Sequence, residues 1–470
     1  MTDLANLSLI ETATAIAAGE VTSEAATAAT VSRLKERGTL LNCVIRLEED
    51  DALEAARAAD RARAKGEIEG PLHGVPMAHK DLLFRAGKVV SCGAKITRDF
   101  VPDHTASVLT SLEDAGAVYV AALHLSEFAR SPTGHNDHFG PCRNPWNTEH
   151  VTGGSSSGSG AAVAARLVPA ALGSDTGGSV RLPAAMCGVV GLMPTQGLVS
   201  RAGVMPLSWS MDTVGPLART AADCARMLSV IAGIDAGDPT TRAEPVPDYE
   251  AGLAKGLDGA TIAVPRNWYY DDVSDAVAEA LDESLKVLRE AGAKTVETEV
   301  PDMALIDDVQ HVLREVETAT VHSRWMKTRP EDYSDQVRTR TEPGFFYTGT
   351  RYCEAMLLRG PILEDFLKQA FAGADMVHLP AVSIPVPTIA ESTAGGPENI
   401  QKIIRRIGRC TRHINYLGLP AISVPCGFAD AGLPVAFQLV GRPFAEARLL
   451  AAAHAYQSLT DWHAIAPPTD

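Results

Sequence analysis

One lysine and two glycine–serine clusters are the residues whose types and spacing can do chemistry. The first cluster, Gly153-Gly-Ser-Ser-Ser-Gly-Ser-Gly160, holds four glycines and four serines in eight positions. The second, Gly173-Ser-Asp-Thr-Gly-Gly-Ser179-Val-Arg181-Leu-Pro183, follows the apolar run 167–172. A strand that ends in a glycine-rich turn can aim successive backbone N–H groups into one concavity. Glycines let that backbone reach positive φ and approach a ligand closely. Such a nest suits the oxygen of a tetrahedral intermediate, and a serine at its end would stand beside the attacked carbon. Serine is a weak nucleophile without a base. Lys80 ends the apolar stretch Gly74-Val-Pro-Met-Ala-His-Lys80-Asp81. Burial there would lower its pKa and leave a neutral amine able to take a proton.

Three other readings of the first tract fail. A flexible Gly/Ser linker does not sit directly before helix-like and strand-like apolar segments. A phosphate-binding loop needs Gly-Lys-Ser/Thr to bring a cation to phosphate, and no lysine is near. The G-x-S-x-G elbow matches residues 154–158, with Ser156 as its nucleophile, but needs a strand before it; residues 144–152 make a poor one.

The elements that must position these groups alternate along the chain. The first 66 residues read as helices (7–18, 23–34 and 48–65), the last with acids first, bases last and a stop at Gly66, in keeping with the helix dipole. Strands are expected at 75–78, 117–123, 168–172, 260–264, 294–299, 376–380, 421–425 and 434–440. Helices are expected at 107–115, 161–166, 274–291, 303–326, 350–372, 398–414 and 444–457. Residues 130–160 read as irregular. Interleaving of this kind predicts an α/β fold with helices covering a largely buried sheet. The polar stretch 236–259 is the weakest linkage.

The lysine segment and the two clusters together resemble the amidase signature family. Asp212-Thr-Val-Gly-Pro-Leu-Ala-Arg219-Thr220, Gly418-Leu-Pro-Ala-Ile-Ser-Val-Pro-Cys-Gly427 and the 432–443 segment look like family segments too, so the likeness runs from Lys80 to about residue 445. The resemblance implies an amidase signature fold: a central twisted mixed β-sheet covered by helices on both faces. It implies residues 1–66 as an N-terminal helical segment packed on a 67–470 catalytic α/β domain, with a substrate-pocket insertion around 300–415. It also implies a Ser–cis-Ser–Lys triad, with Lys80 as base, Ser155 as the cis-peptide serine relaying the proton, and Ser179 as nucleophile. The N–H groups of Thr176, Gly177, Gly178 and Ser179 would form the oxyanion hole. Ser156, Asp175 and Arg181 would support the turn, and neither a metal nor a cofactor is called for. Two positions depart from the family pattern: Ser157 stands where glycine is usual, and Met193 where lysine is common.

Bulk composition narrows the partners. The 470 residues carry 42 basic and 58 acidic side chains, a net −16, which argues against nucleic acid and anionic membrane, both of which favour basic surfaces. No apolar run is long enough to span a bilayer, and the first twenty residues do not read as a secretory signal. Eight cysteines without a CxxC pair read as reduced buried thiols in a cytoplasmic protein. His135 and His138 lie in an irregular stretch without metal-ligand spacing.

The substrate is expected to be a small or aryl amide. Carbamates or urethanes, and glutamine hydrolysed within a tRNA-dependent amidotransferase, are the alternatives. A small-molecule amide or carbamate substrate, no nucleic acid, no membrane and a second copy of the chain as a candidate homodimer are the expected partners. Trp209, Trp325, Phe345, Phe346 and Tyr347 read mainly as core, with an apolar pocket as the other reading. Arg359 reads as a surface or helix-end salt bridge, with a substrate carboxylate as the other reading.

Overall fold

The computed structural model describes residues 4–468. Eleven strands form one mixed sheet: β1 (Val44–Leu47), β2 (Pro76–Lys80), β3 (Val118–Leu123), β4 (Ala170–Asp175), β5 (Val190–Met193), β6 (Thr213–Ala218), β7 (Thr261–Pro265), β8 (Lys294–Thr298), β9 (Met376–Pro380), β10 (Ala421–Ala429) and β11 (Leu433–Gly441). Their order across the sheet is β1-β3-β2-β4-β6-β5-β10-β11-β9-β7-β8. β2 runs parallel to both β3 and β4, and β4 runs antiparallel to β6.

Strand periodicity explains how one sheet serves two apolar layers. Successive side chains point to opposite faces. Met77 and Leu172 join the layer that holds Leu109 and Met227 of the helices Ser107–Asp114 and Ala221–Ile231. Their neighbours Ala78 and Ala171 join the layer of Ala161 and Val163, from the helix Ser157–Ala164. At the other half of the sheet, Met376 faces the first layer and Val377 a third, built on Val309 and Leu313 of the long helix Met303–Thr328. Helices therefore cover both faces, and the α/β architecture expected from the sequence, a mixed sheet between helical layers, is the one observed.

Among the differences from the expected elements, two have plain physical causes. Residues 1–66 are not wholly helical, because Val44–Leu47 pairs antiparallel with β3 as the edge strand; at four residues it is too short to give a period. The sequence reading also missed β5 and β6, whose residues Gly191, Gly215 and Pro216 dilute the β-branched signal. The helix expected at 398–414 is two, Gly396–Ile407 and Arg412–Leu417. All eight cysteines are free and, apart from Cys353, buried. Among the described residues no helix is long and apolar enough to cross a membrane.

Candidate active site

β2 is buried along its whole length, and Lys80 at its end is fully inaccessible. Its ammonium donates to Ser155 Oγ at 2.7 Å and to Ser174 Oγ at 2.9 Å. Burial brings the Lys80 pKa down to about 7, against the raising influence of the Asp175 and Asp212 carboxylates. Ser155 follows a cis Gly154–Ser155 peptide. Ser156 then leads into the helix Ser157–Ala164; its amide donates to the Ser179 carbonyl (3.2 Å), and its hydroxyl lies against the Ser174 backbone. Residues 155–156 and the turn that ends at Ser179 are thus laid side by side. Gly158 makes the approach of this helix possible: a Cβ there would lie 2.4 Å from the Cys43 carbonyl oxygen and from the His124 amide nitrogen.

The turn after β4 is held by one carboxylate. Asp175 accepts from the amides of Gly178 (2.6 Å) and Val180 (3.1 Å), from Arg181 Nε (3.1 Å) and from Asn415 Nδ2 (2.8 Å). Burial pushes its pKa up, but Arg181 and these donors more than offset that and hold it below the usual carboxylate range. Arg181, equally buried, also donates to Gln438, the Thr411 carbonyl and Asn415. Gly178 sits at φ 121°, where a side chain would meet Thr411 Oγ1 at 2.3 Å. The four-donor oxyanion nest expected from the sequence is reduced here. The Gly178 N–H is committed to Asp175, while those of Thr176, Gly177 and Ser179 have no acceptor among the described residues.

Thr176, Gly177 and Ser179 line a cavity of about 630 Å³. Its other walls are charged, from Arg130 and from Asp307, Arg314, Glu315, Arg340 and Arg412. None of the five aromatics weighed for a pocket lines it. Trp325 stacks on Phe128, and Phe346 is 85% exposed. Arg359 also stays outside, donating to the Ser210 carbonyl (2.8 Å) and to Gln196 (2.5 Å). Among the described residues it forms no salt bridge, and it does not line this cavity.

Sequence reasoning passed over two residues. Ser174 lies inside the quoted turn, and only the parallel pairing of β2 with β4 reveals that its hydroxyl reaches Lys80. Asp212 was quoted only as part of a resembling segment. It accepts from Thr176 Oγ1 (2.5 Å) and from the amides of Leu207 and Ser208, and burial raises its pKa to about 6. The departures also find places: Ser157 Oγ meets His124 Nδ1 at 2.9 Å, and Met193 Sδ accepts from Asn415 at 3.1 Å. His135 bonds Ser392 and His138 pairs with Glu127, and among the described residues no group of three or more His, Cys, Asp or Glu could hold a metal ion.

A family model described as Amidase matches residues 25–450. The chain belongs to the amidase signature family. It is therefore an enzyme that acts on C–N bonds. A glutamyl-tRNA(Gln) amidotransferase subunit from Geobacter metallireducens is 39% identical over 468 residues, 94% of this chain and 95% of the relative. Its namesake from Moorella thermoacetica is 40% identical, covering 94% of each. Among solved structures, the native peptide amidase of Stenotrophomonas maltophilia matches with a TM-score of 0.83 at 31% identity, covering 96% of each chain. The partner expectation is corrected by these relatives. A chain with a small-molecule substrate, no nucleic acid and a homodimer as its candidate assembly was expected, whereas the two amidotransferase relatives are each one subunit of an enzyme named for a glutamyl-tRNA. Net charge misled because it sums the whole surface and does not report on a local face or on contacts made through other subunits.

Proposed function

We propose that the chain is the glutamine-hydrolysing subunit of a tRNA-dependent amidotransferase, and that it opens the side-chain amide through an acyl-enzyme on Ser179. The observation that carries the chemistry is the buried Lys80 amine, 2.7 Å from Ser155 Oγ and beside the turn that ends at Ser179. The choice of glutamine rests on the near-full-length identity to the amidotransferase subunits. With a pKa brought down to about 7, a large share of Lys80 is neutral at physiological pH. The 2.7 Å contact then carries the Ser155 proton to Nζ while Ser155 takes the proton of Ser179. Ser179 Oγ bonds to the carbonyl carbon, and the carbonyl oxygen takes up negative charge against the N–H groups of residues 176, 177 and 179. As the C–N bond breaks, the proton returns through Ser155 to the nitrogen, which leaves as ammonia. Water repeats the sequence and frees a carboxylate. Asp175 and Arg181 keep the turn in place and take no proton. No step calls on a metal or cofactor.

A second reading, hydrolysis of a carboxamide without transfer of the ammonia, is favoured by the likeness to peptide amidase. The carbamate alternative gains nothing from these relatives. The test is glutamine, anilide and aliphatic amide turnover by the chain alone and after reconstitution with the remaining subunits of a glutamyl-tRNA(Gln) amidotransferase. Glutamine turnover that rises on reconstitution is the expected result. Faster turnover of anilides or aliphatic amides than of glutamine in both preparations would favour the second reading. Activity that survives Ser179→Ala would sink both.

A further inference from the structure

The turn that must receive the oxyanion is short of positive charge. The Gly178 N–H is committed to Asp175, which leaves three backbone donors. The Asp175 and Asp212 carboxylates both lie close enough to raise the Lys80 pKa. Asp175 is matched by Arg181, whereas Asp212 accepts from Thr176 Oγ1 and forms no ion pair among the described residues. Arg412 is the cation built against this turn. Among the described residues beyond its chain neighbours, a Cβ placed on Gly177 would have Arg412 alone within 4 Å, at 3.6 Å from its Cβ and 4.0 Å from its Cα. Thr411, the residue before it, donates from Oγ1 to the Gly177 carbonyl at 2.7 Å, and its carbonyl accepts from Arg181 Nη2 at 3.1 Å. At the far end of the Arg412 side chain, Nε lies 3.2 Å from Asp307 Oδ1 and Nη2 donates to the Arg405 carbonyl at 3.0 Å. The guanidinium is therefore held at both ends. Its remaining nitrogen, Nη1, has no acceptor among the described residues, and Arg412 lines the cavity together with Thr176, Gly177 and Ser179. The arginine wall of Arg130, Arg314 and Arg340 lines the same cavity beside Glu315.

We infer that Arg412 is a further catalytic residue, whose guanidinium supplies a fourth donor to the carbonyl oxygen as Ser179 adds to the carbon, in place of the Gly178 N–H. The inference rests on the proposed acylation of Ser179 and holds for whichever carboxamide is opened. As Ser179 Oγ bonds to the carbonyl carbon, the C=O π pair moves onto the oxygen. Arg412 keeps its proton and donates a hydrogen bond to that charge, and the pair returns to the C=O bond as the C–N bond breaks. A donor fixed before the charge appears needs no reorganisation when it does. A guanidinium also keeps its charge where burial would deprotonate a lysine. Asp307 is the positioning residue, since it holds Nε and leaves Nη1 unspent.

The test compares butanamide with propylboronic acid, in which boron stands at the carbonyl carbon and becomes tetrahedral and negatively charged when Ser179 adds to it. In Arg412→Met, kcat on butanamide and affinity for the boronic acid should fall together by about tenfold to a hundredfold, the range for a lost charge-assisted hydrogen bond, while KM moves by less than about twofold. Arg412→Lys should recover part of both. Arg406→Met, in the helix Gly396–Ile407 but outside the cavity lining, should keep the wild-type values. Boronic acid affinity, read by calorimetry, needs no turnover. Arg412→Gln serves if the Met variant does not fold, and the same loss of affinity is expected of it. An unchanged affinity would overturn the inference. So would a rise in KM that accounts for the whole loss, or a Lys variant no better than Met. Turnover and boronic acid binding that survive Ser179→Ala would sink the proposed reaction. If both vanish in Ser179→Ala and neither changes in Arg412→Met, the inference alone fails. A chain that opens butanamide and not glutamine would sink the choice of glutamine and leave this comparison as it stands.

Discussion

If Lys80 is the base, as proposed, it sets the pH dependence of the reaction, and the expected curve can be worked from its surroundings. An exposed lysine releases its proton near pH 10.5, whereas burial brings this one down to about 7. The difference corresponds to roughly 5 kcal/mol of penalty on the charged amine. If the neutral amine is the base, the rate follows its fraction: about a tenth at pH 6, half at pH 7 and nine tenths at pH 8. The log of the acylation rate should therefore rise with slope one below pH 6.5 and level off above pH 8. The assay is the rate of covalent labelling of Ser179 by a neutral acylating inhibitor, read by intact mass between pH 5 and pH 9, so that substrate ionisation does not enter. Asp212 is raised to about 6 by burial and tends to raise the lysine's pKa. Replacing it, Asp212→Asn, should move the lysine inflection downward. Stability carries the same signature. The folded-state pKa is depressed, so between pH 7 and 10.5 the unfolded chain holds a proton that the folded one lacks. Stability from this group rises with pH across that window and is flat below it. A labelling rate that does not change from pH 5 to pH 8 would refute the reasoning.

Three further perturbations test the frame around the lysine. Gly178→Ala forces a side chain onto a φ of 121° and to within 2.3 Å of Thr411 Oγ1; a loss of about 2–4 kcal/mol in the urea unfolding free energy is expected, and an unchanged midpoint would contradict it. Asp175→Asn leaves buried Arg181 without its counter-charge, which should cost about 3–5 kcal/mol and slow the labelling of Ser179 as the turn loosens. Ser157→Gly removes the hydroxyl that meets His124 Nδ1; about 1–3 kcal/mol of stability should go, while the inflection near pH 7 stays where it was.

Much of the fold was legible because its strongest elements are long and periodic. The helix Asp275–Glu290 and the hairpin of β10 and β11 stand close to where their apolar patterns put them. Four-residue β1 and glycine-bearing β5 were not legible, since their places depend on a neighbouring strand and not on their own pattern. The site divides the same way. Ser179 stood out by its glycine-rich turn and Lys80 by its apolar run, whereas Ser155 was named only through the family resemblance. Ser174 became visible only through pairing between strands. The charged cavity wall was beyond reach: Arg130, Arg314 and Arg340 come from three separate segments, and each alone reads as an ordinary surface charge. The aromatic residues read mainly as core do not gather there: Phe345 and Phe346 are exposed, Trp325 covers Phe128, and Trp209 lines a second, smaller cavity beside Ser174 and Thr176.

The neighbouring strands β2, β4 and β6 bring Lys80, the turn after Asp175 and the Asp212–Thr213 corner to one end of the sheet. Adjacent strands in a sheet stand about 4.8 Å apart, so the backbone ladder itself acts as the ruler for the reacting groups. The arginine wall hangs on helices and loops that are not part of that ruler. Changes on those helical surfaces would therefore alter what the cavity accepts and leave the strand-set spacing of Lys80 and the turn after β4 as it is.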